Sequence, residues 1–195
     1  MPSRKPTGFY VGGIEAAHII VSVITIALAF TLFPVGSFTL DKFAEVLITL
    51  GLGFILHELA HKYAAIKFGA RAEYRAWTWG LFLALVLAFV TNGNIIFAAP
   101  GAVYIFGRNI SREENGTIAL AGPLMNLLLA VGFLVLWRVI PELAGIAAVG
   151  VWVNAFLGAF NLLPFGPLDG SKVWAWNKLS WAIVFFSCAA ILFLI

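Results

Sequence analysis

The length of its apolar runs limits this chain more than any other feature. Stretches of predominantly apolar residues occupy roughly 14–34, 42–68, 77–106, 117–140, 143–163 and 179–195. About 20 such residues suffice to cross a bilayer as a helix. Hydrophobic residues make up 62% of the chain and charged residues only 11%, where a soluble domain carries about 25% charged residues. The expectation is a polytopic, all-α membrane protein of five to six transmembrane helices in the cell membrane. The formal net charge of +3 suits a role in setting orientation. No basic stripe tracks a phosphate backbone, so nucleic acid is not an expected partner and the lipid bilayer is. The one cysteine, Cys188, cannot form an internal disulfide.

The basic head MPSRKPTGFYVGG precedes an apolar run that carries Glu15 and His18 at its start and no small-x-small cleavage site. This reads as a retained first helix. Arg4 and Lys5 before the first run, and Lys62, Lys67, Arg71 and Arg75 after the second, place the N-terminus and both these helix ends on the cytoplasmic side. Arg108 and Arg112 put the start of the run at 117 on that side too. The segment 77–106 must then leave and return on one side. It is broken by Thr91-Asn92-Gly93-Asn94, and its two halves suit a re-entrant or interfacial segment. The second half, IIFAAPGAVYI, contains Pro100-Gly101 and β-branched residues, which favours an extended strand. Trp77, Trp79, Trp174 and Trp176 fall where an aromatic belt is expected. Gly69 marks the stop of the second helix.

Inside that second helix stands His57-Glu58-Leu59-Ala60-His61. Residues four apart on a helix differ by about 40° in direction and about 6 Å in height. His57 and His61 can therefore address one metal ion while Glu58 flanks it and accepts a proton from water, as in the H-E-x-x-H pattern of zinc peptidases. The competing reading is a polar seam between packed helices. Charged side chains at the centre of a membrane helix cost about 2.5–3.5 kcal/mol each, whereas structural zinc sites return about 10–16 kcal/mol on binding. The balance favours a metal. Zinc, as Zn2+, wants a third protein ligand. His18 and several carboxylates are candidates, and Asp169 stands out because it follows Pro164 and Pro167 in a break between two apolar runs. Its position before Gly170-Ser171-Lys172 equally suits a helix N-cap.

HELAH on a membrane helix, then Gly122-Pro123-Leu124-Met125-Asn126, then Asn161-Leu162-Leu163-Pro164 and Pro167-Leu168-Asp169-Gly170, together resemble the site-2 proteases, the intramembrane zinc metalloproteases of peptidase family M50. The resemblance runs from about 43 to 178 within a single domain of 1–195. It implies that His57, His61 and Asp169 bind zinc and that Glu58 activates the water. It implies that Asn161 sits beside the site to hold substrate or the oxyanion. Pro167 matches a family proline before the metal-binding aspartate, and the Gly-Pro-x-x-Asn segment would pack beside the zinc helix, with Asn126 in polar contact. Segment 77–106 would carry the extended backbone that binds unwound substrate by strand addition. The substrate implied is a transmembrane protein, cut in a locally unwound segment. No PDZ domain separates the motifs, and no CBS domain is expected to follow them.

From a different class, a metal or proton transporter could use the same histidines and carboxylates as a relay, but transporters usually carry internal repeats and none is visible. A catalytically silent scaffold would have no need of Glu58. Glu15 and His18, three apart, read as an interfacial polar pair, with a second metal site or a gate as the less favoured alternative. Asn154 either lines a water path or bonds a neighbouring helix.

Overall fold

The computed structural model describes residues 8–32, 36–95, 100–106 and 109–194. Arg4, Lys5, Arg108 and the first part of the expected strand, 96–99, lie outside them. Along the chain run α1 (Gly13–Thr31), α2 (Leu40–Lys67), β1 (Arg71–Ala76), α3 (Thr78–Val90), β2 (Gly101–Phe106) and α4 (Arg112–Val139). After a short 3-10 turn at Pro141–Leu143 come α5 (Ala144–Asn161), α6 (Asp169–Trp176) and α7 (Lys178–Leu194). Four of these helices, α1, α2, α4 and α5, are long and apolar enough to cross a membrane, while α3 and α7 are shorter.

The helix boundaries follow from local chemistry. Thr39 caps α2 by accepting from the Lys42 amide, and Ser111 with Glu114 forms a reciprocal capping box at α4. The expected stop at Gly69 is present: at φ +75°, its amide donates to Ile66 O and that of Ala70 to Ala65 O. This double bond closes a helix through a residue free to turn left-handed.

The segment 77–106 has two halves, and the second carries the strand expected there. Its first half is α3, whose 13 residues rise only about 20 Å, short of the roughly 30 Å hydrocarbon core. Its second half is β2, which pairs antiparallel with β1 in the register Arg71↔Phe106 to Ala76↔Gly101. The partner strand β1 lies in what reads from sequence as a polar connection. Its signal was the alternation of charged Arg71, Glu73 and Arg75 with Ala72, Tyr74 and Ala76. Ala72 and Tyr74 are buried, as a sheet with one covered face requires. The fold is therefore mostly helical, with the short β segment expected between the motif helix and α4 forming one strand of a small sheet.

Helix α2 is the axis of the packing. On one side, Ile26 of α1, Leu50 and Phe54 of α2, Tyr74 of β1 and Val153 and Leu157 of α5 form one apolar cluster. A second cluster joins α4 to α7 through Ala119, Leu162, Val173, Trp181 and Cys188. The Trp181 indole donates to Leu162 O at 2.5 Å, fastening α7 to the end of α5, and the Arg112 guanidinium donates to Ala175 O, fastening the start of α4 to α6. These ties bring Asp169, far along the chain, back against α2. Of the four tryptophans expected in one belt, Trp77, Trp79 and Trp174 are exposed, Trp77 also lining the cavity described below, and Trp176 packs on Gly116.

Candidate metal centre and catalytic cavity

His57 and His61, one turn apart on α2, are both buried. Their rings meet edge to face, 4.6 Å between centroids. Each ring is held by its Nδ1. That of His61 lies 2.7 Å from Ile118 O, and a carbonyl can only accept, so Nδ1 carries the proton. That of His57 lies 2.5 Å from Asn126 Oδ1. The orientation of this amide follows from its other bonds: Asn126 Nδ2 donates to Gly53 O at 3.2 Å and to Asn154 Oδ1 at 3.1 Å, while Asn154 Nδ2 donates to Gly150 O at 2.9 Å. His57 Nδ1 is thus a donor too. In the neutral form of each ring this leaves Nε2 as the nitrogen with a bare lone pair.

Those lone pairs converge. The two Nε2 atoms are 3.0 Å apart, and Asp169 Oδ2 lies 3.0 Å from that of His61 and 3.4 Å from that of His57. Three acceptors crowd one point without a proton among them. Such an arrangement repels itself unless a cation sits within it. His57, His61 and Asp169 are the group that could hold a metal among the described residues. Two imidazoles and a carboxylate make a donor set suited to zinc, with a fourth position left open. Gly122 completes the fit: a Cβ there would meet Nε2 of both rings, so the absence of a side chain lets α4 approach α2 and present Ile118 O and Asn126.

Asp169 begins α6, and its alternative reading as a cap is not met. The N-cap is Leu168, with no side-chain capping bond, and Asp169 Oδ1 instead lies 3.4 Å from Lys172 Nζ. Lys172 thus supplies a counter-charge to this carboxylate from one turn along α6. Lys172 entered the site without a sequence signal of its own, while Asn154 bonds Asn126 of the neighbouring α4, one of the two roles expected of it.

Glu58 is buried, and its Oε2 has no hydrogen-bond partner. Burial, and then the Glu58 charge, push the Tyr74 hydroxyl above its ordinary value. Glu58 opens onto a cavity of about 480 Å³ that also takes in both histidines, Asp169, Asn161, Pro167 and residues 100–105. Asn161, the last residue of α5, donates from Nδ2 to Leu157 O at 3.0 Å, which leaves its second amide hydrogen uncommitted.

The sheet presents one open edge to this cavity. In an antiparallel pair, backbone groups alternate between facing the partner strand and facing away. The Tyr74 amide donates to Glu15 Oε1 at 2.9 Å and that of Ala76 to His18 Nδ1 at 3.4 Å, so 74 and 76, and by alternation 72, face away from β2, and α1 closes off the first two. Their partners Ile105, Val103 and Gly101 then turn their N–H and C=O groups to the free edge of β2, along the cavity. Glu15 and His18 are therefore not a pair with each other. Glu15 instead receives Lys62 Nζ at 2.6 Å, with both side chains buried. Removing one partner of such a buried pair costs about 3–5 kcal/mol.

A paired-imidazole and carboxylate trio beside an uncommitted glutamate is the kind of arrangement that zinc peptidase chemistry requires. The chain belongs to peptidase family M50, whose family model matches residues 45–143. It is 44% identical over 87% of its length to a Methanocaldococcus jannaschii protein named "Putative zinc metalloprotease MJ0611", covering 88% of that protein. It is 33% identical to "Putative zinc metalloprotease YwhC" of Bacillus subtilis, with 70% of each chain covered. A second M. jannaschii protein, "Zinc metalloprotease MJ0392", is 26% identical over 67% of this chain and 33% of its own length. No solved structure matches it. The alternative of a transporter finds no support in these likenesses.

Proposed function

We propose that this zinc metallopeptidase works inside the membrane, as a site-2 protease, cutting transmembrane protein substrates at a locally unwound segment. The whole chain serves as one catalytic domain, with α7 as a fifth crossing and with the N-terminus and the mouth of the cavity on the cytoplasmic side. His57, His61 and Asp169 hold the zinc and Glu58 is the general base. The observation that carries this reading is Glu58 Oε2, buried without a partner, beside three converging acceptors.

Zinc, held by these residues, would supply the positive charge that polarises a scissile carbonyl and acidifies the attacking water. Glu58 takes the proton of that water on Oε2 and passes it to the leaving amine. The free hydrogen of Asn161 Nδ2 donates to the developing oxyanion. A peptide bond in a transmembrane helix has its carbonyl committed within the helix, so the substrate must unwind before attack. The edge formed by Gly101, Val103 and Ile105 offers the unwound stretch new backbone partners. A dye-quenched synthetic single-span peptide with a central Pro-Gly pair, in liposomes, is therefore cleaved in a zinc-dependent manner. Its all-leucine counterpart is spared. Cleavage that persists after chelation and dialysis overturns the reading.

Two further outcomes follow. Val103→Pro deletes one N–H from the open edge and none from the ladder with β1, so KM for the peptide rises severalfold while zinc content holds. A normal KM would dissociate this edge from substrate. Asn126→Leu strips the Nδ1 partner from His57, and outer partners of metal ligands are worth about 10–100-fold in affinity. Zinc competition against a chromophoric chelator reads that loss directly, and unchanged affinity would detach Asn126 from the site.

A further inference from the structure

Lys62 stands four residues after Glu58 on α2, directly after His61. Glu followed by Lys at this spacing is the favoured orientation for a helical ion pair. Both side chains are buried, and Glu58 Oε2 has no partner. Yet Lys62 does not turn to Glu58. Its Nζ reaches across to α1, where it donates to Glu15 Oε2 at 2.6 Å and to Tyr10 O at 2.5 Å, with the Phe9 ring 5.8 Å away. Glu15 is fixed in turn by the Tyr74 and Gly12 amides, at 2.9 and 3.4 Å.

We propose that Glu15 is a positioning residue that holds Lys62 away from Glu58 and so keeps the general base uncommitted. The reasoning is competitive. A buried ammonium must find an anion, and Lys62 has three carboxylates to consider. Glu15 has it. Glu73, at the rim of the cavity that Lys62 and Glu15 share, is engaged by Arg75 at 2.7 Å and Arg71 at 4.0 Å. Glu58 is the carboxylate on its own helix, one turn back. If Glu15 loses its charge, Lys62 swings to Glu58 and occupies the oxygen that must receive the proton of the attacking water. The role of α1 is thereby chemical as well as structural. This inference rests on Glu58 being the base.

The test compares Glu15→Gln, Lys62→Met and the double variant Glu15→Gln/Lys62→Met with Glu58→Gln, using the same Pro-Gly peptide in liposomes and zinc content per chain. Glu15→Gln lowers kcat about tenfold or more, equivalent to about 1.4 kcal/mol in the barrier, with zinc and KM little changed. The double variant, which carries no lysine to misplace, recovers most of the loss. Full activity in Glu15→Gln overturns the proposal, as does a double variant that stays as slow as the single one. Where Glu15→Gln does not load zinc, Lys62→Met decides: kcat close to the parent supports the proposal, and a collapsed kcat with zinc and KM intact overturns it. Failure of all three to load zinc assigns the pair to folding and also overturns it. If instead Glu58→Gln cleaves normally, the base assignment itself has failed, which separates that outcome from failure of the positioning role.

Discussion

Glu58→Gln lowers kcat by about 10²–10⁴-fold, the range general-base catalysis contributes, and leaves zinc in place. The substitution keeps the volume of a side chain that already lacks a hydrogen-bond partner at Oε2, so it disturbs no contact that fixes the histidines. Those are held from the other side, through Ile118 O and Asn126. Single-turnover cleavage of the liposome peptide, with zinc measured on the same sample, is the deciding experiment. A kcat near that of the parent removes Glu58 from the chemistry, and loss of zinc reassigns it to the metal.

The second large effect comes from a methyl group. Gly122→Ala places a Cβ against Nε2 of both His57 and His61, the atoms that must carry bare lone pairs toward the metal. Interiors do not absorb such an intrusion without moving side chains or backbone. Either both rings rotate away or α4 withdraws, and withdrawal also loosens Ile118 O and Asn126. Zinc affinity falls about 100-fold or more, beyond the loss expected for a single outer partner, and cleavage falls with it. Gly132→Ala, on the same helix with open space around it, serves as the control and retains both. Normal zinc binding by Gly122→Ala would mean that the approach of α4 to α2 is not what shapes the site.

The motif helix was legible because its polar residues are so expensive in an apolar chain that only a shared function explains them. His57, Glu58 and His61 share a helix, and spacing alone relates them. Asp169 was legible as a break in the pattern, but two roles fitted it equally. What speaks for the ligand reading is the approach of Asp169 Oδ2 to His61 Nε2 across more than a hundred residues, a relation no local window contains. Strand β1 was obscured because Arg71, Glu73 and Arg75 read as a basic flank to a membrane helix. Their alternation with buried Ala72 and Tyr74 becomes informative only when a partner strand is known. Glu15 was assigned to the wrong neighbour for a related reason. Proximity in sequence suggested His18, whereas the buried cation that needed a carboxylate lay on another helix.

The bonds that fasten the two imidazoles also restrict what they can do. Ile118 O has no hydrogen to return, and the Asn126 amide is oriented by Gly53 O and by Asn154, itself anchored on Gly150 O. Neither ring can exchange its tautomer without breaking a buried bond. The histidines are thereby held in one tautomer, and the proton transfers proposed for turnover fall to a side chain not fixed in this way, of which Glu58, unpartnered at Oε2, is the nearest in sequence.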